Sequence, residues 1–347
     1  MTKVNRQFRL TARPVGEIKE SDFSYKEEEI PTLGDGEMLV RNLYLSLDPT
    51  NRLWMSDKDQ YMPPVELGAV MRGIAIAVVE ESKSPQYKKG DFIWGLLGWQ
   101  DYALIAGDDF QNVIPLDSSI LPDNKLTLYL GPMGMSGWTA YLGLLNIGKP
   151  QPGETVFVSG AAGSVGSMVG QIAKIKGCRV VGTAGSESKC RWLKEELGFD
   201  EAINYKNYKP GLELEEAIAK VCPNGIDVYF DNVGGSILDA VLTQVNLHAR
   251  IPLCGLMSIY NAKGPVPGPY NYSQIMMKRV QVQGFIISDY FMQWSEAMTA
   301  IAQWIKEGKI KYSEETVDGL KNAPKALIQL FKGTSKGKVF VKISEEP

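Results

Sequence analysis

Seven consecutive residues near the middle of the chain have the types and spacing that bind a phosphate group. Gly160 to Gly166 reads G-A-A-G-S-V-G, with Ala161 at the first glycine of the pattern G-x-G-x-x-G. Gly163 lets the backbone approach a pyrophosphate without a side chain in between, and Gly166 lets a helix lie close to a strand. The turn therefore predicts a dinucleotide site, in which the N–H groups and positive dipole of a helix N-terminus meet the phosphates.

A glycine turn has this meaning only between a strand and a helix. Val156 to Val158 is a short apolar run before the turn, and apolar residues from Val165 to Ile175 recur after it at helical spacing. A second apolar segment, Arg179 to Thr183, completes a βαβ unit of about thirty residues. If the glycine pattern stood alone, an ordinary strand–helix turn would be the alternative interpretation. The complete βαβ unit around it favours cofactor binding.

The residues after the second strand indicate which dinucleotide is bound. An NAD site usually has Asp or Glu there for the ribose 2′-hydroxyl, whereas this chain reads Ala184-Gly185-Ser186-Glu187-Ser188-Lys189. Ser186 and Lys189 suit a 2′-phosphate. Glu187 would repel that phosphate if it pointed inward. It falls in the first turn of the next helix, however, where a carboxylate interacts favourably with the positive end of the helix dipole. We therefore expect NADPH rather than NADH, although Lys189 also fits a solvated helix face.

Composition and charge limit the classes of partner. The 347 residues suit two domains, and a net charge of −3 with a pI near 5.5 argues against nucleic acid or an anionic membrane as a partner. The first residues lack the apolar core of a signal peptide, and no later apolar run is long enough to span a membrane. We expect a cytoplasmic protein.

The cysteines and the single histidine do not form a metal site in the sequence. The four cysteines have no C-x-x-C spacing, and reduced thiols are the simplest interpretation; they are Cys178, Cys190, Cys222 and Cys254. Zinc sites need clustered Cys, His or acidic ligands, so we expect no metal. His248 is interpreted as a surface turn residue, which argues against a His–Asp triad.

The two halves of the chain have different patterns. Residues 1–125 contain short β-rich segments separated by Gly and Pro, which predict a largely antiparallel domain with barrel-like curvature. These segments are Phe8 to Leu10, Met38 to Leu45, Gly73 to Val79, Asp91 to Leu97 and Tyr102 to Ile105. Leu47 to Met55 and Tyr61 to Pro64 are candidate pocket segments, with surface loops as the alternative.

From about residue 126, strand-like and helical segments alternate, which predicts a parallel sheet covered by helices on both faces. Beyond the βαβ unit, strands are expected at 201–204, 227–230, 250–254 and 282–287, and helices at 214–221, 237–247, 274–278 and 291–306. Residues 231–234 and 254–257 follow strand ends and should face the cofactor. The tyrosine-containing loop 258–272 is a candidate lid, and residues 337–343 read as a strand that returns to the first domain.

Together these motifs resemble the zinc-independent medium-chain dehydrogenase/reductases, in the leukotriene/prostaglandin reductase and plant double-bond reductase group that includes bacterial NADPH-dependent curcumin reductases. The resemblance rests on LYLSLDP, PPVELGAVMRG, GWQDYAL, GWTAYLGLL, the glycine turn, DNVGG, ARIPLCGLMSIYNA, QGFII and GKVFVK. It implies a β-rich, GroES-like barrel as the catalytic domain (1–125 and 312–347) and a doubly wound Rossmann domain (126–311). It also implies a homodimer built through the Rossmann domain.

The resemblance also implies a set of NADPH contacts. The glycine turn would hold the pyrophosphate, Ser186, Lys189 and Tyr205 the 2′-phosphate end, and residues after later strands the nicotinamide half. The full set is Gly163, Ser164, Val165, Gly166, Ser186, Lys189, Tyr205, Asn232, Cys254, Gly255, Phe285, Ile286, Ile287 and Ser335. Three positions depart from the family pattern. Thr50 and Met277 stand where relatives have tyrosines, and Ser335 stands where many have Asn.

Without a metal or a His dyad, the expected reaction is reduction of a carbon–carbon double bond conjugated to a carbonyl. Hydride reaches the β-carbon, charge collects on the carbonyl oxygen as an enolate, and a proton goes to the α-carbon. A tyrosine hydroxyl or the cofactor ribose could donate the proton. Tyr61 and Tyr260 are the first candidates, with Tyr270 and Tyr272 behind them, and a place in the pocket wall is the alternative for each tyrosine. The alternative functions are a quinone or ketone reductase and a non-catalytic NADPH-binding sensor.

Overall fold

The computed structural model describes residues 4–58, 60–106 and 113–347. The backbone divides into two compact units. Unit 1 comprises Met1–Leu130 and Glu314–Pro347, and unit 2 comprises Gly131–Ser313. Each unit is described separately.

The helices and strands follow one another along the chain. In order they are β1 (Val4–Leu10), β2 (Phe23–Glu29), β3 (Glu37–Leu47), α1 (Thr50–Trp54), β4 (Ala75–Ser82), β5 (Phe92–Gly95), β6 (Tyr102–Ala106), β7 (Val113–Pro115), α2 (Met135–Leu142), β8 (Thr155–Val158), α3 (Ser164–Ile175), β9 (Arg179–Ala184), α4 (Glu187–Glu195), β10 (Glu201–Asn204), α5 (Leu212–Val221), β11 (Ile226–Phe230), α6 (Gly235–Leu242), β12 (Val245–Leu253), α7 (Ser273–Met277), β13 (Gln281–Gly284), α8 (Trp294–Lys306), β14 (Glu314–Asp318), α9 (Ala323–Phe331) and β15 (Lys338–Lys342).

Unit 2 is built on a parallel sheet of six strands in the order β10-β9-β8-β11-β12-β13. One side of its core is a cluster of buried apolar residues from Phe157 to Val280, contributed by the strands, α5 and α6. The strand order reverses between β8 and β11, and such a switch point opens a crevice at the C-terminal strand ends. The predicted doubly wound Rossmann sheet is confirmed.

Unit 1 contains a seven-stranded sheet in the order β14-β15-β3-β4-β5-β7, with β6 also paired to β3. All of its pairings are antiparallel except that of β14 with β15. The β1–β2 hairpin joins this half through the bridges Gln7↔Gln100 and Arg9↔Val70. The C-terminal strand β15 pairs with β3, so it lies in the sheet of the chain's first half.

Several predicted element bounds were wrong. The helix expected over 237–247 ends at Leu242, and β12 already begins at Val245 because that residue aligns with Ile226 in a parallel pair. The strand expected over 282–287 ends at Gly284, and a 3-10 helix over Ile287–Gln293 precedes α8. The charged strand β2 was not predicted.

His248 is exposed, as expected, but it lies inside β12 rather than between elements. Its φ of 62° places it in the left-handed region, where the register of β12 against β11 shifts. The thiols of Cys178, Cys190, Cys222 and Cys254 are free. Within the three described ranges, no helix combines the length and apolar character needed to cross a bilayer.

Candidate functional site

The glycine turn connects β8 to α3 and is held from both sides. Gly160 has a φ of 59°, and its carbonyl accepts a hydrogen bond from Gly163 N at 3.0 Å. Ala161 N donates to the Thr183 carbonyl at 2.9 Å, which fixes the turn to β9. A Cβ at Gly166 would lie 2.4 Å from the Gly160 oxygen, so only glycine fits there without movement.

The start of α3 fits a phosphate group. Its N-cap residue is Gly163, which is exposed and has no side chain to cap the first-turn N–H groups. The first turn also contains no acidic residue. Uncapped N–H groups and the helix dipole favour an anion at this position.

Side chains from two neighbouring strands converge beside Gly185, at the end of β9. Ser186 is the N-cap of α4, and its Oγ accepts from Lys189 N at 3.4 Å. A Cβ built on Gly185 would lie 3.5 Å from Lys206 Nζ and 3.6 Å from the Tyr205 hydroxyl. Lys206 was missed in the sequence, although it follows Tyr205 directly at the end of β10.

Glu187 is held by the loop after β10. Its Oε1 accepts hydrogen bonds from Asn204 Nδ2 at 3.1 Å and Asn207 Nδ2 at 2.8 Å. Two amide donors therefore orient this carboxylate toward Asn204 and Asn207.

A buried carboxylate organises the loop after β11. Asp231 Oδ1 accepts from Ser159 Oγ at 3.0 Å, Tyr229 Oη at 2.6 Å and the backbone N–H groups of Val233 and Gly234 at 3.0 and 2.8 Å. Burial raises the pKa of Asp231, against the effect of these donors. Asp231 was expected to face the cofactor, but its side chain is fully buried and supports the loop instead.

Asn232, the next residue, is fixed to the end of β8. Its backbone N donates to Ser159 Oγ at 2.9 Å, and its Nδ2 donates to the Ser159 carbonyl at 2.8 Å. Ser159 thus connects the glycine turn with the Asp231 loop across the switch point. Its role was missed because both partners are distant in sequence.

Tyr260 lies against the loop after β12. Its hydroxyl accepts a hydrogen bond from Leu256 N at 3.2 Å and would lie 3.3 Å from a Cβ on Gly255. Burial raises the pKa of Cys254 to about 12, so this residue remains a thiol near neutral pH. The hydrogen bond from Leu256 N holds the Tyr260 hydroxyl beside Gly255.

Phe285 begins the segment that follows β13. Its ring packs edge-on against Phe230, with 6.2 Å between centroids, and a Cβ on Gly143 would lie 2.4 Å from Phe285 Cζ. This packing fixes the backbone of 285–287 at the end of the sheet. Every predicted cofactor residue of unit 2 thus lies in the segment that follows a strand's C-terminal end.

The predicted lid loop is attached to the rest of unit 2 at Asn271, while the tyrosines on either side of that residue are exposed. Asn271 N donates to Asp239 Oδ1 at 2.7 Å, which attaches the loop to α6. Tyr270 and Tyr272 are 85% and 65% exposed, so the structure does not place them in a pocket wall. Met277, one of the three departures, is also exposed.

The other two predicted site residues belong to unit 1. Tyr61 follows α1, and its hydroxyl contacts Thr50 Oγ1 at 2.5 Å and Trp54 Nε1 at 2.9 Å. Tyr61 as a whole is 44% exposed, and desolvation of its hydroxyl is the largest effect on its pKa, which it raises. Ser335 is partly buried in the connection between α9 and β15.

The comparisons with known proteins cover nearly the whole chain. Residues 6–113 match a family model described as the N-terminal domain of oxidoreductase, and residues 164–303 match one described as zinc-binding dehydrogenase. The part of the chain that the structure describes contains no group of three or more His, Cys, Asp or Glu residues able to hold a metal ion.

Two curated relatives and one solved structure are similar over most of their length. The NADPH-dependent curcumin reductase of Escherichia coli is 46% identical over 98% of this chain and 97% of its own. The NADP⁺-dependent 2-alkenal reductase of Nicotiana tabacum is 40% identical over 99% of this chain and 98% of its own. The crystal structure of CurA from Vibrio vulnificus in complex with NADPH has a TM-score of 0.91 and 45% identity, covering 98% of this chain and 99% of that chain. These similarities confirm the resemblance: the chain belongs to the medium-chain dehydrogenase/reductase family, in the group that includes the curcumin, alkenal and prostaglandin reductases.

Proposed function

We propose that this protein is an NADPH-dependent reductase of carbon–carbon double bonds conjugated to a carbonyl, such as enones, enals and curcumin-like compounds. The observation that carries this proposal is the 46% identity, over almost the full length of both chains, to an NADPH-dependent curcumin reductase. The glycine turn and the strand ends around it support the proposal because they fit a dinucleotide.

In this proposal unit 2 binds NADPH through the residues at the C-terminal end of its sheet, and unit 1 is the substrate domain, to which Ser335 belongs. Ser186, Lys189, Tyr205 and Lys206 favour the 2′-phosphate of NADPH over the hydroxyl of NADH. Two lysines and two hydroxyls supply charge and hydrogen bonds to a phosphate.

NADPH, when bound, supplies the hydride that reaches the β-carbon of the substrate. The protein groups must then stabilise negative charge on the carbonyl oxygen and deliver one proton to the α-carbon. Tyr61 and Tyr260 are the proposed catalytic residues. The Tyr61 hydroxyl oxygen accepts a hydrogen bond from Trp54 Nε1, and the Tyr260 hydroxyl oxygen accepts one from Leu256 N. These bonds orient the hydroxyls.

The test is NADPH oxidation with a panel of enones, enals, quinones and saturated ketones, with NADH run in parallel. We expect turnover of enones with NADPH and recovery of the saturated carbonyl product. Rapid turnover of quinones with none of enones would favour the quinone reductase, and tight NADPH binding without any turnover would favour the sensor. Tyr260→Phe is expected to lower kcat while leaving NADPH affinity intact, and an unchanged kcat would remove Tyr260 from the chemistry.

We also propose that the protein is a cytoplasmic homodimer. Edge strand β13 presents backbone groups that a second copy can pair with. Exposed apolar side chains lie on and beside this edge, namely Met276, Met277 and Val282. A strand edge with an apolar border suits an isologous contact between two copies. Light scattering of the purified protein tests the dimer.

A further inference from the structure

Three side chains of unit 1 meet at one hydroxyl group. Thr50 and Trp54 are the first and last residues of α1, four positions apart and therefore on the same face of the helix. Tyr61 lies in the following segment, and its oxygen is 2.5 Å from Thr50 Oγ1 and 2.9 Å from Trp54 Nε1. The arrangement is rigid on the Trp54 side, because that side chain is only 4% exposed.

The chemistry of these groups limits which way the hydrogen bonds run. An indole N–H only donates, so the Tyr61 oxygen accepts from Trp54. The Thr50 hydroxyl either donates to Tyr61 or accepts from it. If Thr50 donates, the phenol oxygen has two donors and its own proton remains for a third partner.

Two charged groups act on this phenol from neighbouring elements. Arg72, whose guanidinium carbon lies 5.6 Å from the Trp54 ring centroid, donates to the Pro63 carbonyl at 2.8 Å and favours the phenolate. Asp48, before α1, disfavours it, but Ser46 and the buried Lys338 each donate a hydrogen bond to this carboxylate. Part of the repulsion between Asp48 and a phenolate is thereby offset.

We propose that Thr50 is a positioning residue that donates a second hydrogen bond to Tyr61, so that the Tyr61 proton is directed to the substrate. This proposal rests on the proposed function, in which Tyr61 is a proton donor. The proton leaves Tyr61 Oη and forms the new C–H bond at the α-carbon, the enolate electron pair supplies that bond, and the phenolate regains a proton from water. Thr50 and Trp54 stabilise the phenolate formed in this step.

The first test needs no substrate. With 3,5-difluorotyrosine incorporated at position 61, whose phenol ionises closer to neutral pH, ¹⁹F NMR follows the titration of this single group. Thr50→Val is expected to raise its pKa by about one unit, because one donor to the phenolate is lost. Thr50→Ser should retain the original pKa. An identical titration in Thr50→Val would overturn the proposal, whatever the protein reduces.

The second test uses steady-state kinetics with an enone that the protein reduces. Thr50→Val should lower kcat about tenfold with the KM for NADPH unchanged, and Thr50→Ser should restore most of it. In a Tyr61→Phe background, Thr50→Val should have no further effect. Thr316→Val, at an exposed strand position, is the matched control and should equal the wild type. An equal loss from Thr50→Val with and without Tyr61 would contradict the positioning role.

Discussion

Two glycines of the turn, three residues apart, should respond differently to the same substitution. In Gly166→Ala the new methyl group would lie 2.4 Å from the Gly160 oxygen and 2.8 Å from Ala161 Cα, whereas ordinary contacts begin near 3.4 Å. These are backbone atoms at the strand–helix junction, so α3 must move. Overpacking of this kind costs roughly 1–3 kcal/mol.

The expected loss for Gly166→Ala is about 2 kcal/mol. The clash falls at the upper end of that range, and the better helix propensity of alanine offsets up to about 1 kcal/mol. At about 2–4 °C per kcal/mol, the melting temperature of the ligand-free protein should fall by about 4–8 °C. NADPH binding should weaken too, because the N-terminus of α3 shifts.

Gly163→Ala should leave the fold almost intact and act on the cofactor. Its φ of −81° suits any residue, and a Cβ there would be 3.3 Å from the Gly160 oxygen. Replacing an N-cap glycine by alanine costs about 0.5–1 kcal/mol. Because Gly163 is proposed to face the pyrophosphate, its methyl group should weaken NADPH binding by about tenfold or more.

Thermal melting without ligand and calorimetric titration with NADPH separate the two variants. We expect Gly166→Ala to be the less stable and Gly163→Ala to have a near-normal melting temperature with a much weaker Kd. An equal loss of stability in both would refute the packing argument. Unchanged NADPH affinity in Gly163→Ala would refute the assignment of the phosphate site.

The remaining predictions concern the 2′-phosphate, an ion pair and the sheet edge. Lys206→Ala should raise the KM for NADPH roughly tenfold and leave the KM for NADH unchanged. Lys209→Ala, at an exposed position, is the control and should change neither KM. Equal effects of Lys206→Ala on both cofactors would contradict the assignment of Lys206 to the 2′-phosphate. Burial tends to raise the pKa of Glu154, but the hydrogen bonds from Arg250 lower it below its ordinary value. The ion pair therefore stabilises the fold above about pH 4.5. This stabilisation is lost as the pH falls through the lowered pKa of Glu154. Glu154→Gln should therefore destabilise by about 1 kcal/mol near neutrality, and its urea midpoint should approach that of the wild type near pH 3. If the proposed dimer forms through β13, Val282→Lys should convert it to a monomer in light scattering, since a charged edge strand resists pairing; a persistent dimer would place the interface elsewhere.

Features set by local spacing could be predicted from the sequence. The strand, turn and helix around Gly163 are contiguous, and each residue type there has a local backbone reason. The C-terminal strand was recognisable for the same reason, since β15 contains the β-branched and aromatic run Val339-Phe340-Val341. Family motifs spread along nearly the whole chain then predicted the cofactor residues after each strand end.

Features that depend on strand order could not be predicted. Lys206 belongs beside Gly185 only because β10 pairs with β9, and Ser159 meets Asp231 only because β11 lies next to β8. The end of α6 was misjudged because Val245 follows Val241 at helical spacing, four residues on, whereas it pairs in parallel with Ile226 and so belongs to β12. The contact of Thr50 with Tyr61 depends on the loop path after α1.

The most direct test of double-bond reduction is the position of transferred deuterium. The protein is supplied with an enone and NADPH deuterated at C4, using both stereospecifically labelled forms, and the product is analysed by NMR. We predict one deuterium on the β-carbon of a saturated ketone, with a solvent-derived proton on the α-carbon. Deuterium on the former carbonyl carbon of an allylic alcohol would contradict the proposed function.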